Sequence, residues 1–363
     1  MRLFILLLGL LLLVPSYGQM EPTDNLRKPV PDLPWGSLEG SGINRDSIQN
    51  LLRLIEETPP NDFRGLVVIK NNKIVIEEYF HTYWRNTIHD IRSAGKSITA
   101  MLLGVALKEG LVQNLEQSVY SFFPKNKYPT LNEEYKKIKL EHLLNMSSGL
   151  DADTDDSQSF GHAVNWIAKD DWKAYLLSVP VTSRPGKEWV YADINALLIG
   201  AVIEETSGMS LKDFAKEKIF DPFGIKQFYW YTNANNQTGA AGNLYLSTLD
   251  FAKLGMPLVN EGKWGGQQII DTSYVEKLCS NETFDLSDDN PYADYYGMMW
   301  YKSHRTFGNN DIDYVFASGN GGNHLIVIPD RELVIALTSS AYGRGPGHRR
   351  SYNVMSKILS SLE

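Results

Sequence analysis

One tetrapeptide of the sequence places an alcohol and an amine where they could act together: the S-A-G-K stretch that begins at Ser93 and ends at Lys96. It precedes the apolar run 98–107, which predicts a helix starting at this point. Residues three apart on a helix share a face, with Cβ atoms roughly 5–6 Å apart, so the amine can reach the serine oxygen. This spacing is typical of a lysine-activated serine nucleophile at a helix N-terminus, whose N–H groups can bind an oxyanion. Taken alone, the tetrapeptide favours an ordinary capping serine, because S-x-x-K arises about once by chance in a chain of this length.

Further segments follow this tetrapeptide in a fixed order. They are L-E-H-L-L-N-M-S-S-G-L at 140–150, P-G-K-E-W-V-Y-A-D at 185–193 and P-F-G-I at 222–225. Together with H-D-I-R-S-A-G-K-S-I-T at 89–99, they resemble segments of the class C β-lactamase and penicillin-binding-protein-like serine hydrolases, in that family's order. The resemblance covers most of residues 60–340. It implies a β-lactamase-related fold and an acyl-enzyme formed on Ser93, with no cofactor.

The resemblance also implies a tyrosine base in a Y-x-N motif. Three positions compete for it: Tyr191 in Y-A-D, Tyr231 in Y-T-N and Tyr292 in Y-A-D. Tyr231 matches the Y-x-N motif literally. Tyr191, however, follows Pro-Gly by a short loop and directly precedes an apolar helix, as the family's tyrosine does. A phenol acts as a base near neutral pH only beside a cation, and Lys96 is the natural candidate. We therefore predict Tyr191 as the base. Asp193 adds a negative charge where the family has an amide in its substrate-binding site, so the lysine and a bound substrate would experience a different field.

The family's third motif, [KH]-[TS]-G, lines the cleft and should fall just before residue 325. The sequence there is F-A-S-G-N-G-G-N, in which Ser318 and Gly319 fill the last two motif positions and Ala317 replaces the cation. The resemblance implies that Asn320 supplies the second oxyanion N–H and that a substrate carboxylate loses its anchor. Ester or amide hydrolysis therefore ranks above β-lactamase activity, with D,D-peptidase activity third. The alternative from another class is a catalytically idle binding or sensor protein of the same fold.

The elements that must position these residues come from both ends of the chain. Paired β-branched runs predict two hairpins: 65–69 with 74–80, and 325–328 with 333–338. Helical spacing predicts helices at both ends and through the middle of the chain: 46–57, 351–362 and most of about 94–260. We predict an α/β (α+β) fold, with an antiparallel sheet flanked by helices and built from both chain ends, plus a mostly helical inserted subdomain. Residues 41–363 would form this hydrolase domain.

Composition and charge exclude several classes of function. The 363 residues are 43% hydrophobic and 21% charged, which is ordinary for a globular protein. Lys and Arg number 35 against 43 Asp and Glu, a net charge of −8, and no basic stretch is interleaved with aromatics, so we expect no nucleic-acid partner. Cys279 is the only cysteine, and the histidines lack ligand spacing, so we expect no metal site. The expected partner is a small-molecule ester, amide or peptide substrate.

The N-terminal residues predict an exported protein. A basic start, the apolar run 3–14 and small residues before a cut after Gly18 are typical of a secretory signal peptide over 1–18. Because the apolar run is shorter than the ~20 residues that a membrane span needs, we expect no stable membrane insertion once the signal is removed. Residues 19–40, rich in Pro and Gly, predict an extended leader. The mature protein is expected to be secreted or periplasmic.

Overall fold

Strands from both ends of the chain join in one antiparallel sheet in the computed structural model, which describes residues 33–280, 282–343 and 345–362. The strands are β1 (Phe63–Lys70), β2 (Lys73–Tyr79), β3 (His89–Asp90), β4 (Tyr229–Trp230), β5 (Leu244–Leu246), β6 (Lys263–Trp264), β7 (Gln267–Gln268), β8 (Phe284–Asp285), β9 (Tyr295–Gly297), β10 (Trp300–Phe307), β11 (Asn310–Gly319), β12 (Asn323–Ile328) and β13 (Leu333–Ser339). Within the described residues, the main sheet has the order β2-β1-β13-β12-β11-β10-β9-β8. A smaller sheet has the order β3-β5-β4, and β6 pairs with β7.

The helices lie at both ends of the chain and fill its middle. They are α1 (Arg45–Glu57), α2 (Gly95–Lys108), α3 (Leu140–Leu144), α4 (Ala163–Trp166), α5 (Trp172–Leu176), α6 (Asp193–Ser207), α7 (Leu211–Ala215), α8 (Thr248–Val259), α9 (Thr272–Ser280) and α10 (Pro346–Ser360). The two predicted hairpins correspond to β1–β2 and β12–β13, and the predicted end helices correspond to α1 and α10. The predicted fold class, an antiparallel sheet flanked by helices and built from both chain ends, is confirmed.

Strand β13 explains why the sheet carries helices on both faces. Its residues are all buried, although side chains alternate between the two faces of a strand. Leu333, Ile335 and Leu337 pack into a core shared with α1 and α10. Val334 and Ala336 pack into the larger core, which is shared with α2, α6 and α8. The sheet is therefore the middle layer between two layers of helices.

Helix α2 is buried on all sides and carries the predicted nucleophile region into the interior. Every residue from Gly95 to Ala106 is buried, as expected of a helix that is apolar around its whole circumference. Gly104 allows a close approach, because a Cβ at this position would lie 2.6 Å from the ring of Tyr274. The turn that precedes α2 contacts β11, so the first residues of the helix lie against the sheet.

The first described residues run along β2, the edge strand of the main sheet. Trp35 forms a parallel bridge with Ile74, whose N–H donates to the Pro34 carbonyl oxygen at 2.9 Å. The Gly36 N–H donates to the Ile74 carbonyl oxygen at 2.8 Å. The predicted signal peptide, 1–18, and residues 19–32 of the predicted leader lie outside the described residues. No helix in the described part of the chain is long and apolar enough to cross a membrane.

Candidate active site

Ser93 lies in a strained turn at the start of α2. The turn is a single 3₁₀ turn, Arg92–Ala94, and Arg92 has φ = 54°, a left-handed value that residues with a side chain rarely adopt. Buried Asp90 holds this conformation: its Oδ1 accepts from the Arg92 backbone N–H at 2.8 Å, and its Oδ2 lies 3.1 Å from the Arg92 Nε. Backbone strain of this kind persists where neighbours enforce it, often at active sites. The turn leaves Ser93 partly exposed at the N-terminus of a buried helix.

Lys96 is buried one turn further on and is held by two oxygens. Its side chain is 1% exposed, and its Nζ lies 2.7 Å from Asp193 Oδ1 and donates to the Ala241 carbonyl oxygen at 2.9 Å. The Nζ also lies 4.9 Å from the ring centre of Tyr191. Burial lowers the pKa of Lys96, but the Asp193 carboxylate and the Tyr191 side chain outweigh burial and leave this pKa above its ordinary value. Lys96 is therefore an ammonium ion at neutral pH.

Tyr191 and Asp193 reach this ammonium from the start of α6. Asp193 is the first residue of that helix, where a negative charge is favourable, and its backbone N–H donates to Thr154 Oγ1 at 2.9 Å. The Thr154 N–H donates in turn to the Tyr191 carbonyl oxygen at 2.9 Å. The Tyr191 ring meets Tyr296 edge-on at 6.3 Å and Trp189 at 6.0 Å. Two hydrogen bonds and an aromatic cluster thus fix the segment that bears the predicted base.

The other tyrosine candidates lie elsewhere. Tyr231 packs against Trp172, with ring centres 5.9 Å apart. Tyr292 packs against Tyr352 of α10, on the opposite face of the sheet from α2. Tyr191 is the tyrosine that contributes to the charge state of Lys96.

The end of β11 closes against the nucleophile turn. A Cβ at Gly319 would lie 2.0 Å from the Ile91 carbonyl oxygen, so only a glycine permits this contact. The next residue, Asn320, is exposed and is held by two hydrogen bonds. Its side-chain Oδ1 accepts from the Gly343 N–H at 3.0 Å, and its backbone carbonyl oxygen accepts from Asn323 Nδ2 at 2.8 Å. The predicted oxyanion segment therefore lies beside Ser93.

The two residues before Gly319 point to opposite faces of the sheet. Ala317 is buried in the core shared with α2, so no cation occupies this position. The Ser318 Oγ faces α10 instead, 3.4 Å from both His324 Nε2 and His348 Nδ1. On its β10 side, the pairing of β11 ends at Phe316, opposite Tyr301, so Ser318 and Gly319 lie beyond the first residue of β10, Trp300.

The sequence did not point to several residues that shape the site. The loop 239–242 packs against the nucleophile turn, because a Cβ at Gly242 would lie 3.0 Å from the Arg92 carbonyl oxygen. This loop also supplies the Ala241 oxygen that binds Lys96. The only feature of its sequence that could have indicated this loop is its run of small residues, G-A-A-G. Thr154, which supports Tyr191 and Asp193, lies among the aspartates of 151–156, a pattern typical of a solvated loop.

Comparisons with known proteins show the family to which the chain belongs. The β-lactamase family model matches residues 55–357. An uncharacterized protein of Alkalihalophilus pseudofirmus is 22% identical over 319 residues, which cover 78% of this chain and 85% of that protein. The 6-aminohexanoate-dimer hydrolase of Paenarthrobacter ureafaciens is 19% identical over 355 residues, which cover 94% of this chain and 88% of that protein. The chain belongs to the β-lactamase family and is a serine hydrolase.

The solved structures extend the likeness to the fold. A penicillin-binding protein homologue from Caulobacter crescentus matches with a TM-score of 0.70 at 15% identity, covering 87% of this chain and 97% of that one. At this identity the match concerns the architecture alone, and the chemistry must be argued from the residues.

Proposed function

We propose that this protein hydrolyses an ester or amide bond through an acyl-enzyme formed on Ser93. The observation that carries the proposal is the Lys96 ammonium, buried on the turn after Ser93 and lying 4.9 Å from the centre of the Tyr191 ring. The Ser93 oxygen would attack the substrate carbonyl carbon while its proton passes to the Tyr191 oxygen. The carbonyl oxygen, now negative, would be bound by the backbone N–H groups of Ser93 and Asn320.

The second half of the reaction returns the enzyme to its starting state. The proton on Tyr191 would pass to the departing alcohol or amine as its bond to the carbonyl carbon breaks, which leaves the acyl group on Ser93. Water then attacks the acyl carbon, Tyr191 takes a proton from that water, and the proton returns to the Ser93 oxygen as the acid leaves.

The pairing of Lys96 with Asp193 supports Tyr191, and not Lys96, as the base. An amine abstracts a proton only in its neutral form, and the carboxylate at 2.7 Å keeps Lys96 charged. Lys96 therefore serves as a fixed positive charge that stabilises negative charge on the Tyr191 oxygen. Asp193 offsets part of that charge, so we propose that it sets the strength of the base and does not contact the oxyanion.

The substrate we propose is weakly charged. Ala317 leaves the cleft without the cation that the family's motif would place there, so a substrate carboxylate has no partner at this position. Ester or amide hydrolysis ranks first for this reason, β-lactam hydrolysis second and D,D-peptidase activity third. The likeness to a 6-aminohexanoate-dimer hydrolase supports amides as well as esters.

Covalent labelling tests the proposal directly. The purified protein and a Ser93→Ala variant are treated with a fluorophosphonate or a labelled penicillin, and the peptide that contains residue 93 is weighed by mass spectrometry. We expect the phosphonate alone to label the parent, at Ser93, and neither reagent to label the variant. Labelling by both reagents would favour a penicillin-recognising enzyme. Labelling by neither would indicate the catalytically idle protein and overturn the proposal.

We also propose that the protein is exported and acts outside the cytoplasm. The basic start, short apolar run and small residues up to Gly18 support this proposal. N-terminal sequencing of the protein from its host should find a chain that starts at Gln19. A chain that retains residues 1–18 would contradict export by this route.

A further inference from the structure

The ring of Tyr342 contacts both of the segments that supply the proposed oxyanion N–H groups. Tyr342 follows the last strand, β13, and is 49% exposed. The Arg92 guanidinium lies 4.6 Å from the centre of this ring, and Arg92 directly precedes Ser93. A Cβ at Gly321 would lie 3.0 Å from the same ring, and Gly321 directly follows Asn320. One side chain therefore joins the neighbours of both proposed oxyanion donors.

Backbone hydrogen bonds fix the position of the segment that bears Tyr342. The N–H of the next residue, Gly343, donates to Asn320 Oδ1 at 3.0 Å. The Tyr342 N–H donates to the Ser340 carbonyl oxygen at 2.8 Å, and the Ser340 N–H donates to the Asp62 carbonyl oxygen at 2.9 Å. The segment is therefore anchored to the end of the sheet and to the loop that contains Asn320.

The Arg92 side of this contact is also fixed. Buried Asp90 lies 3.1 Å from the Arg92 Nε and so directs the guanidinium, whose positive charge is attracted to the face of an aromatic ring. The His89 ring lies nearly parallel to that of Tyr342, with ring centres 6.5 Å apart, and its Nε2–H donates to the Ser339 carbonyl oxygen at 3.0 Å. Burial lowers the pKa of His89 to about 4, so this ring is uncharged at pH 7 and does not repel Arg92.

The loop after β11 needs a partner of this kind to keep one conformation. Gly321 and Gly322 have φ values of 95° and 89°, and glycine reaches many other conformations at little cost. An oxyanion hole, however, works only when both of its N–H groups point at one oxygen, about 2.7–3.1 Å away. Of the two proposed donors, Ser93 belongs to the turn before α2 and Asn320 to the loop after β11, so a contact between these two elements sets their alignment.

We propose that Tyr342 is a positioning residue that keeps the Asn320 N–H aligned with the Ser93 N–H. It does so through the contacts of its ring with Gly321 and with the Arg92 guanidinium. The inference rests on the proposed function and adds to it a residue that touches neither the substrate nor the reacting atoms. Because these contacts use the ring and not the hydroxyl, phenylalanine should replace Tyr342 without loss.

Steady-state kinetics with p-nitrophenyl butyrate give the first test. Tyr342→Ala should lower kcat about tenfold to a hundredfold with little change in KM, because the aligned donors bind the transition state more strongly than the substrate carbonyl. Tyr342→Phe should keep the parent kcat. Tyr229→Ala is the matched control, since Tyr229 is also an exposed tyrosine, 50% exposed, and packs against Tyr245 of β5. A parent-like kcat in Tyr342→Ala would overturn the positioning role.

A sulfur-substituted ester separates positioning from a general loss of structure. Sulfur is a weak hydrogen-bond acceptor, so an aligned oxyanion hole favours p-nitrophenyl butyrate over p-nitrophenyl thionobutyrate. The ratio of kcat/KM for the ester to that for the thionoester should fall about tenfold in Tyr342→Ala and stay at the parent value in Tyr342→Phe and Tyr229→Ala. A partly unfolded variant would lose both activities equally. An unchanged ratio in Tyr342→Ala, or an equal fall in Tyr229→Ala, would overturn the positioning role.

A double-mutant cycle tests whether Tyr342 acts through Arg92. Arg92→Gln removes the charge that lies over the ring. Two residues that act through one contact show losses that do not multiply, so the double variant Arg92→Gln, Tyr342→Ala should be no slower than the slower single variant. Losses that multiply would overturn the proposed link between the two segments.

Hydrogen exchange separates the positioning role from the proposed hydrolysis. In Ser93→Ala, deuterium uptake by peptides that cover residues 319–323 is followed by mass spectrometry. A further Tyr342→Ala substitution should speed this uptake, and Tyr342→Phe should not. Equal uptake in all three proteins overturns the positioning role even if the parent hydrolyses esters. Faster uptake with Tyr342→Ala, in a protein whose parent hydrolyses neither ester, overturns the proposed hydrolysis and keeps Tyr342 as the residue that holds the segment.

Discussion

Replacing Lys96 by methionine separates the chemical role of this side chain from its structural role. Methionine has nearly the same length and volume but no charge, so the buried space around residue 96 stays filled. The change removes the hydrogen bonds to Asp193 at 2.7 Å and to the Ala241 oxygen at 2.9 Å. It also removes the positive charge 4.9 Å from the Tyr191 ring centre.

The expected magnitudes differ for activity and stability. Loss of the charge that supports a general base should slow acylation by at least about 100-fold, or about 2.7 kcal/mol in the activation free energy. The free energy of unfolding should change less, by about 1–3 kcal/mol, because a hydrogen bond to a charged group contributes about this much. Asp193 is 21% exposed and can be hydrated once Lys96 is gone, which limits the loss. The variant should therefore fold and fail to react.

Two measurements are needed. The rate of fluorophosphonate labelling is measured from the intact mass of the protein over time, and stability is measured by urea unfolding. Lys253→Met is the matched control, since Lys253 is also a buried lysine, with Nζ 3.0 Å from Asp250 Oδ1 on α8. The control should lose similar stability and label at the parent rate. The double variant Lys96→Met, Asp193→Asn removes both charges and should regain stability without regaining labelling. Near-parent labelling of Lys96→Met would refute the role given to this ammonium.

Three further outcomes follow from the geometry. Asp193→Asn removes the carboxylate that holds the pKa of Lys96 above its ordinary 10.5, so urea unfolding at pH 7 should show a loss of about 3 kcal/mol. A raised lysine pKa stabilises the fold below that pKa and not above it. The loss of stability in Asp193→Asn should therefore shrink above about pH 10.5. A loss that stays constant with pH would exclude the ion pair as its source. Gly319→Ala should slow labelling more than about tenfold, because the added Cβ would lie 2.0 Å from a backbone oxygen. Gly239→Ala is the control, since a Cβ at Gly239 would have no neighbour nearer than 3.4 Å. Equal labelling rates in the two variants would be inconsistent with the contact at Gly319. Burial lowers the pKa of His324 from 6.5 to about 3. As the pH falls, this histidine is therefore protonated in the unfolded chain before it is protonated in the folded one, so the free energy of unfolding should fall from about pH 6.5 towards about pH 3. The expected loss at about pH 4.5 is about 2.7 kcal/mol. His324→Gln should reduce this acid sensitivity in urea titrations at pH 7 and 4.5, and identical shifts in both proteins would reject the assignment.

Local patterns in the sequence were sufficient for the elements that carry a single strong periodicity. The amphipathic segment 46–57 became α1, with Ile48, Leu51 and Ile55 buried on one side. The hairpin around residues 70–73 also follows from local signals, since β-branched runs flank a turn with Asn71 and Asn72 at positive φ.

Strands β10 and β11 were harder to predict because their pattern depends on distant partners. β10 reads W-Y-K-S-H-R-T-F, in which polar residues such as Ser303 are buried against other elements and the alternation is lost. Its position is set by pairing with β9 and β11, and no local signal encodes that pairing.

In the candidate site, too, some features follow from local sequence and others depend on contacts between distant residues. The spacing of Ser93 and Lys96 follows from helix geometry, and the choice of Tyr191 over two other tyrosines followed from the neighbouring loop and helix. The ion pair of Lys96 did not follow from the sequence: Asp193 was expected only to place a negative charge near the lysine and the substrate, and the structure pairs it with the lysine at 2.7 Å. Lys96 and Asp193 are about a hundred positions apart, and Ser318 and His348 of α10 are 30 positions apart. Both contacts exist only once the layers have packed.

The segment 34–36 along β2 has a consequence for the behaviour of the protein at high concentration. A bare edge strand offers a row of N–H and C=O groups on which a second molecule can build, and this is a common route to fibrils and disordered aggregates. Trp35 and its neighbours occupy part of that row through their bonds to Ile74. Pro34 has no N–H to present outward, so the added segment is itself a poor template for a further strand. A preparation shortened to begin after Gly36 should therefore be the one that precipitates.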